Sequence, residues 1–331
     1  MRRLVLVVVA IAVAGTACSS GSGESLTLYS GRSEDLVQPV IDAFTAETGI
    51  GVTVKYADSA NLAATILEEG AASPADVFFA QDPASLGTVA LAGLFDTLPS
   101  DILTRVPERF TDDAGAWVGT SGRARVVVYD STVVSPSDMP LTEDGFVESV
   151  WKGRVGIAPT NGSFLSFVAA KILLEGEAAT KAWLDGMAAN DAQKYPKNSP
   201  IVDAVNAGDI ESGLVNHYYL LRSLAENPDE VGMNFFFTVP TAGSLVMPAG
   251  AGILATSQSQ EAAEEFIAWL LNDSSQRYFA EETFEYPLVP GVAANPILPA
   301  IDTIPTPDIS LSELATVLDT ATDLVAEAGL L

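Results

Sequence analysis

The 331-residue chain holds one cysteine and one histidine. The cysteine, Cys18, lies close to the N-terminus. The body beyond it has no thiol in reserve, and neither a disulfide nor a thiolate metal site can form there. With His217 as the sole imidazole, a multi-histidine zinc centre is excluded as well. Positive charge is scarce: 16 Lys and Arg stand against 43 Asp and Glu, a net −27. That sign of charge repels nucleic acid and anionic membranes, so neither is an expected partner of the body. It suits an extracellular protein and is compatible with a site for cations, although solubility alone explains most of it. Enzyme signatures are missing too. There is no G-x-S-x-G elbow, no Walker A motif and no nucleophile paired with a base, so no enzyme is expected. Gly250, Gly252 and Ala255 formally match a dinucleotide fingerprint. The run continues into the β-like ILATS instead of opening a helix, so a phosphate would meet no helix N-terminus. Tight backbone packing is the better account of these glycines.

No apolar run is long enough to span a bilayer. Residues 4–13 are an unbroken apolar stretch of ten behind Arg2 and Arg3, about half of what a membrane-spanning helix needs. With Gly15, Thr16 and Ala17 following, residues 1–17 read as a cleaved signal peptide. Cys18 then has the position of a lipobox cysteine that is lipidated and becomes residue one, with Gly15 where such boxes usually carry Leu. The other reading is plain secretion with a free cysteine. Residues 18–24 have the Gly/Ser composition of a flexible tether. Loss of the signal peptide takes the net charge from −27 to −29.

The remaining body of about 310 residues is long enough for two domains, and with 48% hydrophobic residues disorder is not expected. Short β runs alternate with amphipathic helices. Residues 26–29 read as a strand; Leu36, Val37, Val40, Ile41 and Phe44 recur at helical spacing; 51–56 alternate as a strand; 61–69 read as a helix and 76–79 as a buried strand. This alternation argues for a parallel sheet with helical crossovers. A longer β run at 122–129 is a plausible first crossing into a second domain. There, 154–158 is extended, 162–174 and 178–188 are helical, and Ser199 with Pro200 opens a helix that ends before Gly208. Residues 245–256 are extended again, and Ala262 to Leu270 line a helix face. Ser310 and Glu313 form a capping box for the last helix. The expected fold is α/β, two-lobed, with discontinuous domains: 25–125 with 247–296, and 126–246 with 297–331. A ligand cleft lies between the lobes.

Two segments carry chemistry. Asn216, His217, Tyr218 and Tyr219 follow a strand-like run at 212–215 and face the presumed cleft. Phenolate is a hard anionic donor that ligates Fe(III), as tyrosine does on haem iron, and ligation displaces its proton. Adjacent tyrosines are otherwise half core and half surface. Thr160, Asn161, Gly162 and Ser163 precede a helix whose free N–H groups suit an anion; an ordinary N-cap explains them equally well. Asn198 and Ser199 offer a second such set.

Across nearly the whole mature chain the sequence resembles the periplasmic ferric-ion-binding proteins, the iron branch of the type II ABC solute-binding proteins. The shared stretches are YSGR at 29–32, SPADVF at 73–78, SGRARV at 121–126, PTNGSF at 159–164, KNS at 197–199, NHYY at 216–219 and EYPL at 285–288. The resemblance implies a carrier that captures ferric iron with a synergistic anion, carbonate or phosphate, outside the membrane. It hands the iron to an ABC permease and its ATPase. It further implies that Tyr218 and Tyr219 bind iron, that Asn161, Gly162, Ser163, Asn198 and Asn216 hold the anion, and that Arg123 or Arg125 reaches the anion or the cleft. This chain departs from the family pattern at two ligand positions: Ser33 stands where a histidine is usual, and Gln81 where a glutamate is. Glu34, at a tyrosine-ligand position of a sister branch, Gln81 and Asp82 are the candidates from the first lobe. The rival is the same fold carrying a small organic or phosphorylated solute, with the tyrosines as stacking groups.

Overall fold

The computed structural model describes residues 24–331; the expected signal peptide, Cys18 and the expected tether up to residue 23 lie outside the described residues. The first lobe begins with three β–α units: β1 (Ser25–Ser30), α1 (Glu34–Thr48), β2 (Gly51–Tyr56), α2 (Ser59–Glu69), β3 (Val77–Ala80) and α3 (Pro83–Leu91), followed by the short α4 (Ser100–Leu103). The long β4 (Val118–Asp130) leads into the second lobe. That lobe holds β5 (Val155–Ile157), α5 (Gly162–Glu175), α6 (Glu177–Ala189), β6 (Gln193–Lys194), α7 (Asn198–Asn206), β7 (Ser212–Asn216), α8 (Tyr218–Glu226) and β8 (Gly232–Phe235). The chain returns through β9 (Val246–Ile253), α9 (Gln260–Leu270), α10 (Asp273–Glu281) and β10 (Tyr286–Pro287), and ends in α11 (Leu318–Glu327).

The strands follow the order β2-β1-β3-β9-β4-β7-β5-β6, with β8 and β10 also paired to β4. β1 is parallel to β2 and β3, as helical crossovers require. β4 joins the two halves. Its residues 118–124 pair with β9, and residues 125–129 pair with β7. Thirteen residues in extended form reach about 43 Å, so one buried strand serves both lobes. Gly250 and Gly252 lie on β9, where an added Cβ would meet the carbonyls of Val118 and Ala116 at 2.7 and 2.8 Å. Close backbone approach is the role of these glycines.

Three expectations change. The helix expected to open at Ser199 is α7, which starts at Asn198 after an extended Lys197 that makes no side-chain cap. The Ser310–Glu313 box does not form: Ser310 Oγ accepts from Ser312 N–H and donates to Asp113. Residues Ser312–Val317 are a 3-10 turn, and the α-helix begins only at Leu318. That turn packs against both α3 and α5, while α11 lies on α5 and α6. The stretch 297–331 therefore touches both lobes rather than one. Helix α3 has no legible apolar stripe because it is buried on most sides, although Asp82 as its cap and Pro83 at its first position are a start signal.

Candidate functional site

Strand β7 ends at Asn216, and His217 turns the chain into α8, whose first two residues are Tyr218 and Tyr219. His217 is fully buried. Its Nδ1 accepts from the Ala124 N–H at 3.1 Å and its Nε2 donates to the Phe284 carbonyl at 2.8 Å. Burial pushes its pKa down to about 4, and both nitrogens are committed. The imidazole is thus a neutral pin between β4 and the turn before β10, with no nitrogen left for a ligand. The pin fixes the start of α8 and with it the tyrosines.

The two tyrosine rings stack at 4.1 Å and 29°. Tyr218 is buried and Tyr219 half-buried. Burial raises the Tyr218 pKa well above the usual phenol range, and Tyr219 adds to the rise; Arg32 and Arg123 pull the other way. The positive end of α8 also favours an anion at its first turn.

Three buried guanidiniums surround the pair. Arg32, just beyond β1, binds Glu285 in a fork, with N–H to oxygen distances of 2.9 and 2.8 Å. Arg123 donates to the Pro248 carbonyl at 2.9 Å and stands 3.9 Å from Glu285. Arg125 donates to Asn216 Oδ1 at 3.3 Å and lies over the Phe167 ring. Burial lowers the Arg125 pKa to about 10, against the opposing pull of Tyr219. Burial also lowers that of Arg123, with Arg32 adding to the effect. For Arg32, burial is outweighed by Glu285 and the pKa is raised. Nε of Arg32 and Nε and Nη1 of Arg123 are buried without a hydrogen-bond partner. Three guanidiniums against Glu285 leave two positive charges. Two phenolates would neutralise them, and a buried charge without such compensation is expensive. Arg32 and Glu285 received no role from the sequence, since nothing in residue order marks an arginine as buried.

At the start of α5, Asn161 Oδ1 accepts from the Ser163 N–H (3.1 Å), the Ser163 hydroxyl (2.6 Å) and the Asn198 amide (3.4 Å). The structure therefore brings Asn161, Gly162, Ser163 and Asn198 together, and separately pairs Asn216 with Arg125. Of the first-lobe candidates, Gln81 lines a 210 Å³ cavity with Asn161 and Gly162. Ser33 lines a 430 Å³ cavity with Arg32, Tyr56 and Lys197. Glu34 is exposed in the first turn of α1, where the helix dipole favours its charge. Asp82 is buried and engaged: Oδ1 accepts from Ser85 N–H (2.8 Å) and Ser166 Oγ–H (3.1 Å), and Oδ2 from Ser85 Oγ–H (3.0 Å).

One other carboxylate group gathers among the described residues, Glu143, Asp144 and Glu175. The Lys171 ammonium sits in it, at 3.4, 2.6 and 2.7 Å from the three, so it is an internal ion cluster. No helix among the described residues is long and apolar enough to cross a membrane.

The model of the bacterial extracellular solute-binding proteins matches residues 40–306. The chain is 36% identical over 310 residues to the major ferric iron-binding protein of Neisseria meningitidis, covering 92% of this chain and 93% of that one. It is 32% identical over 317 residues to the Fe(3+)-binding periplasmic protein of Serratia marcescens, covering 95% and 93%. Iron-bound HitA from Pseudomonas aeruginosa superimposes with a TM-score of 0.89 at 31% identity, over 93% of this chain and all of that one. The architecture is thus the two-lobed α/β fold of the type II periplasmic binding proteins.

Proposed function

Because the chain belongs to the bacterial extracellular solute-binding proteins, in their ferric-iron-binding branch, we propose that it captures ferric iron outside the cytoplasmic membrane and delivers it to the permease of an ABC importer. It is a carrier of a transport family and not an enzyme. The observation that carries the reading is the stacked Tyr218–Tyr219 pair at the first turn of α8, ringed by three buried guanidiniums. The guanidiniums favour the phenolates, and the phenolates supply two hard, charged donors. Fe(III) adds three positive charges to a site that two phenolates only balance, so a companion anion such as carbonate or phosphate is part of the cargo. Arg123, Arg125 and Asn216, on the β4–β7 side, are its nearest holders.

The lobes divide within β4 near residue 125 and at the start of β9 near residue 247, and cargo favours the closed arrangement because both lobes touch it only there. The protein acts as a monomer beside its permease and ATPase. A lipid on Cys18 holds it at the membrane surface, since the two or three chains of such a modification bind firmly where one binds marginally. Fractionation of the Cys18→Ala protein tests this: release or failed processing is expected, and unchanged membrane association contradicts it.

The arginine excess also suits an organic or phosphorylated anion stacked on the tyrosines, and one titration separates the two cargoes. Ferric iron added to chelator-stripped protein should give a visible phenolate-to-iron band at one iron per chain. Tyr218→Phe or Tyr219→Phe should shift or abolish it. Since each phenol gives up a proton on binding, iron affinity should fall as pH falls. Retained iron and colour in both variants would overturn the assignment.

A further inference from the structure

Asp82 belongs to the first lobe but reaches the second. Its Oδ1 accepts the Ser166 hydroxyl on the first turns of α5 across the cleft. Its Oδ2 lies so near Gly162, the first residue of α5, that an added Cβ there would meet it at 2.8 Å. The side chain is 1% exposed. Meanwhile the donors expected to grip a dissolved anion at this helix start are already used. The Ser163 N–H, the Ser163 hydroxyl and the Asn198 amide all point to Asn161 Oδ1.

We propose that Asp82 is a built-in anion of the binding site. Its carboxylate takes the place at the start of α5 that would otherwise fall to a dissolved anion, and by doing so draws the lobes together. The favourable charge–dipole interaction at a helix N-terminus then acts between lobes rather than between protein and solute. Gly162 is required because any side chain would push the carboxylate away. Any companion anion of the iron is left to the arginine side of the cleft. The inference rests on the ferric reading for its iron measurements but not for its conformational one.

The test uses two variants from opposite lobes. Asp82→Asn keeps a good cap for α3 and a hydrogen-bond acceptor for Ser166 while removing the charge. Gly162→Ala leaves Asp82 intact and obstructs its seat. Small-angle X-ray scattering of the cargo-free proteins should show the parent more compact than either variant. In phosphate-free and bicarbonate-free buffer both variants should bind iron about three- to tenfold more weakly than the parent, the range of such a charge at a helix start. Millimolar phosphate should strengthen iron binding more in the variants than in the parent, whose own response reports only the companion anion on the arginine side. A purely structural role for Asp82 would lower thermal stability without phosphate rescue. Variants that match the parent in scattering and in phosphate dependence overturn the proposal. If no protein develops colour with iron, the ferric reading fails on its own. Scattering then decides, and equal dimensions overturn the built-in anion.

Discussion

At the scale of residues, the site is a balance of buried charges held by a neutral pin. His217 is adjacent to the tyrosines yet is not a donor, because β4 and the Phe284 carbonyl consume both its nitrogens. Its folded pKa of about 4 lies below the ordinary value near 6.5. A depressed histidine keeps the folded state neutral while the unfolded chain takes up a proton. Its contribution to stability is therefore full above about pH 6.5 and is lost as pH falls towards 4, up to about 3 kcal/mol. Denaturant melts between pH 7.5 and 4.5 should show that loss in the parent and a shallower slope in His217→Asn; equal slopes would contradict the pin. The tyrosine pair and the Asn161 loop were legible because residue type and position name them together. Arg32 and Glu285 were not, since a buried ion pair joining residues 32 and 285 leaves no local pattern. Asp82 was legible only as an acid near the cleft. Its cap of α3 is local, whereas its hydrogen bond to Ser166 on α5 depends on how the lobes meet.

At the scale of elements, the helices and strands that bury one face were readable from periodicity, whereas α3 and the end of the chain were not. α3 is covered by neighbours on most sides and carries no stripe. The last helix is delayed because Ser310 spends its hydroxyl on Asp113 instead of a capping box. Helix α1, whose N-terminus brings Ser33, Glu34 and Asp35 to the cleft, carries Pro39 in its interior with an exposed side chain. A proline there forfeits one backbone hydrogen bond and crowds the preceding turn. Pro39→Ala should raise stability by about 1–3 kcal/mol and leave iron affinity alone, as read by denaturant melts and iron titration. A destabilised Pro39→Ala protein would mean that the proline is matched to a local bend that the alanine helix cannot follow.

At the scale of the whole molecule, β4 is shared by both lobes, the proposed hinge lies there and at the start of β9, and side chains from both lobes meet over the cleft. The Arg222–Asp35 ion pair also crosses it, at 2.7 Å, but both partners are partly exposed, and such pairs contribute little. Closure in this account depends on buried groups: the phenolates with their guanidiniums, and Asp82 on α5. A net charge of −27 draws cations towards the surface without choosing among them; in the proposed function the choice of Fe(III) belongs to the tyrosines. The most direct measurement is anomalous X-ray diffraction at the iron edge from crystals of the iron-loaded protein. A single strong peak between the Tyr218 and Tyr219 hydroxyl oxygens, absent in crystals of Tyr218→Phe, is the result the account predicts. A peak elsewhere, or iron-loaded crystals with no peak beside these two oxygens, would contradict it.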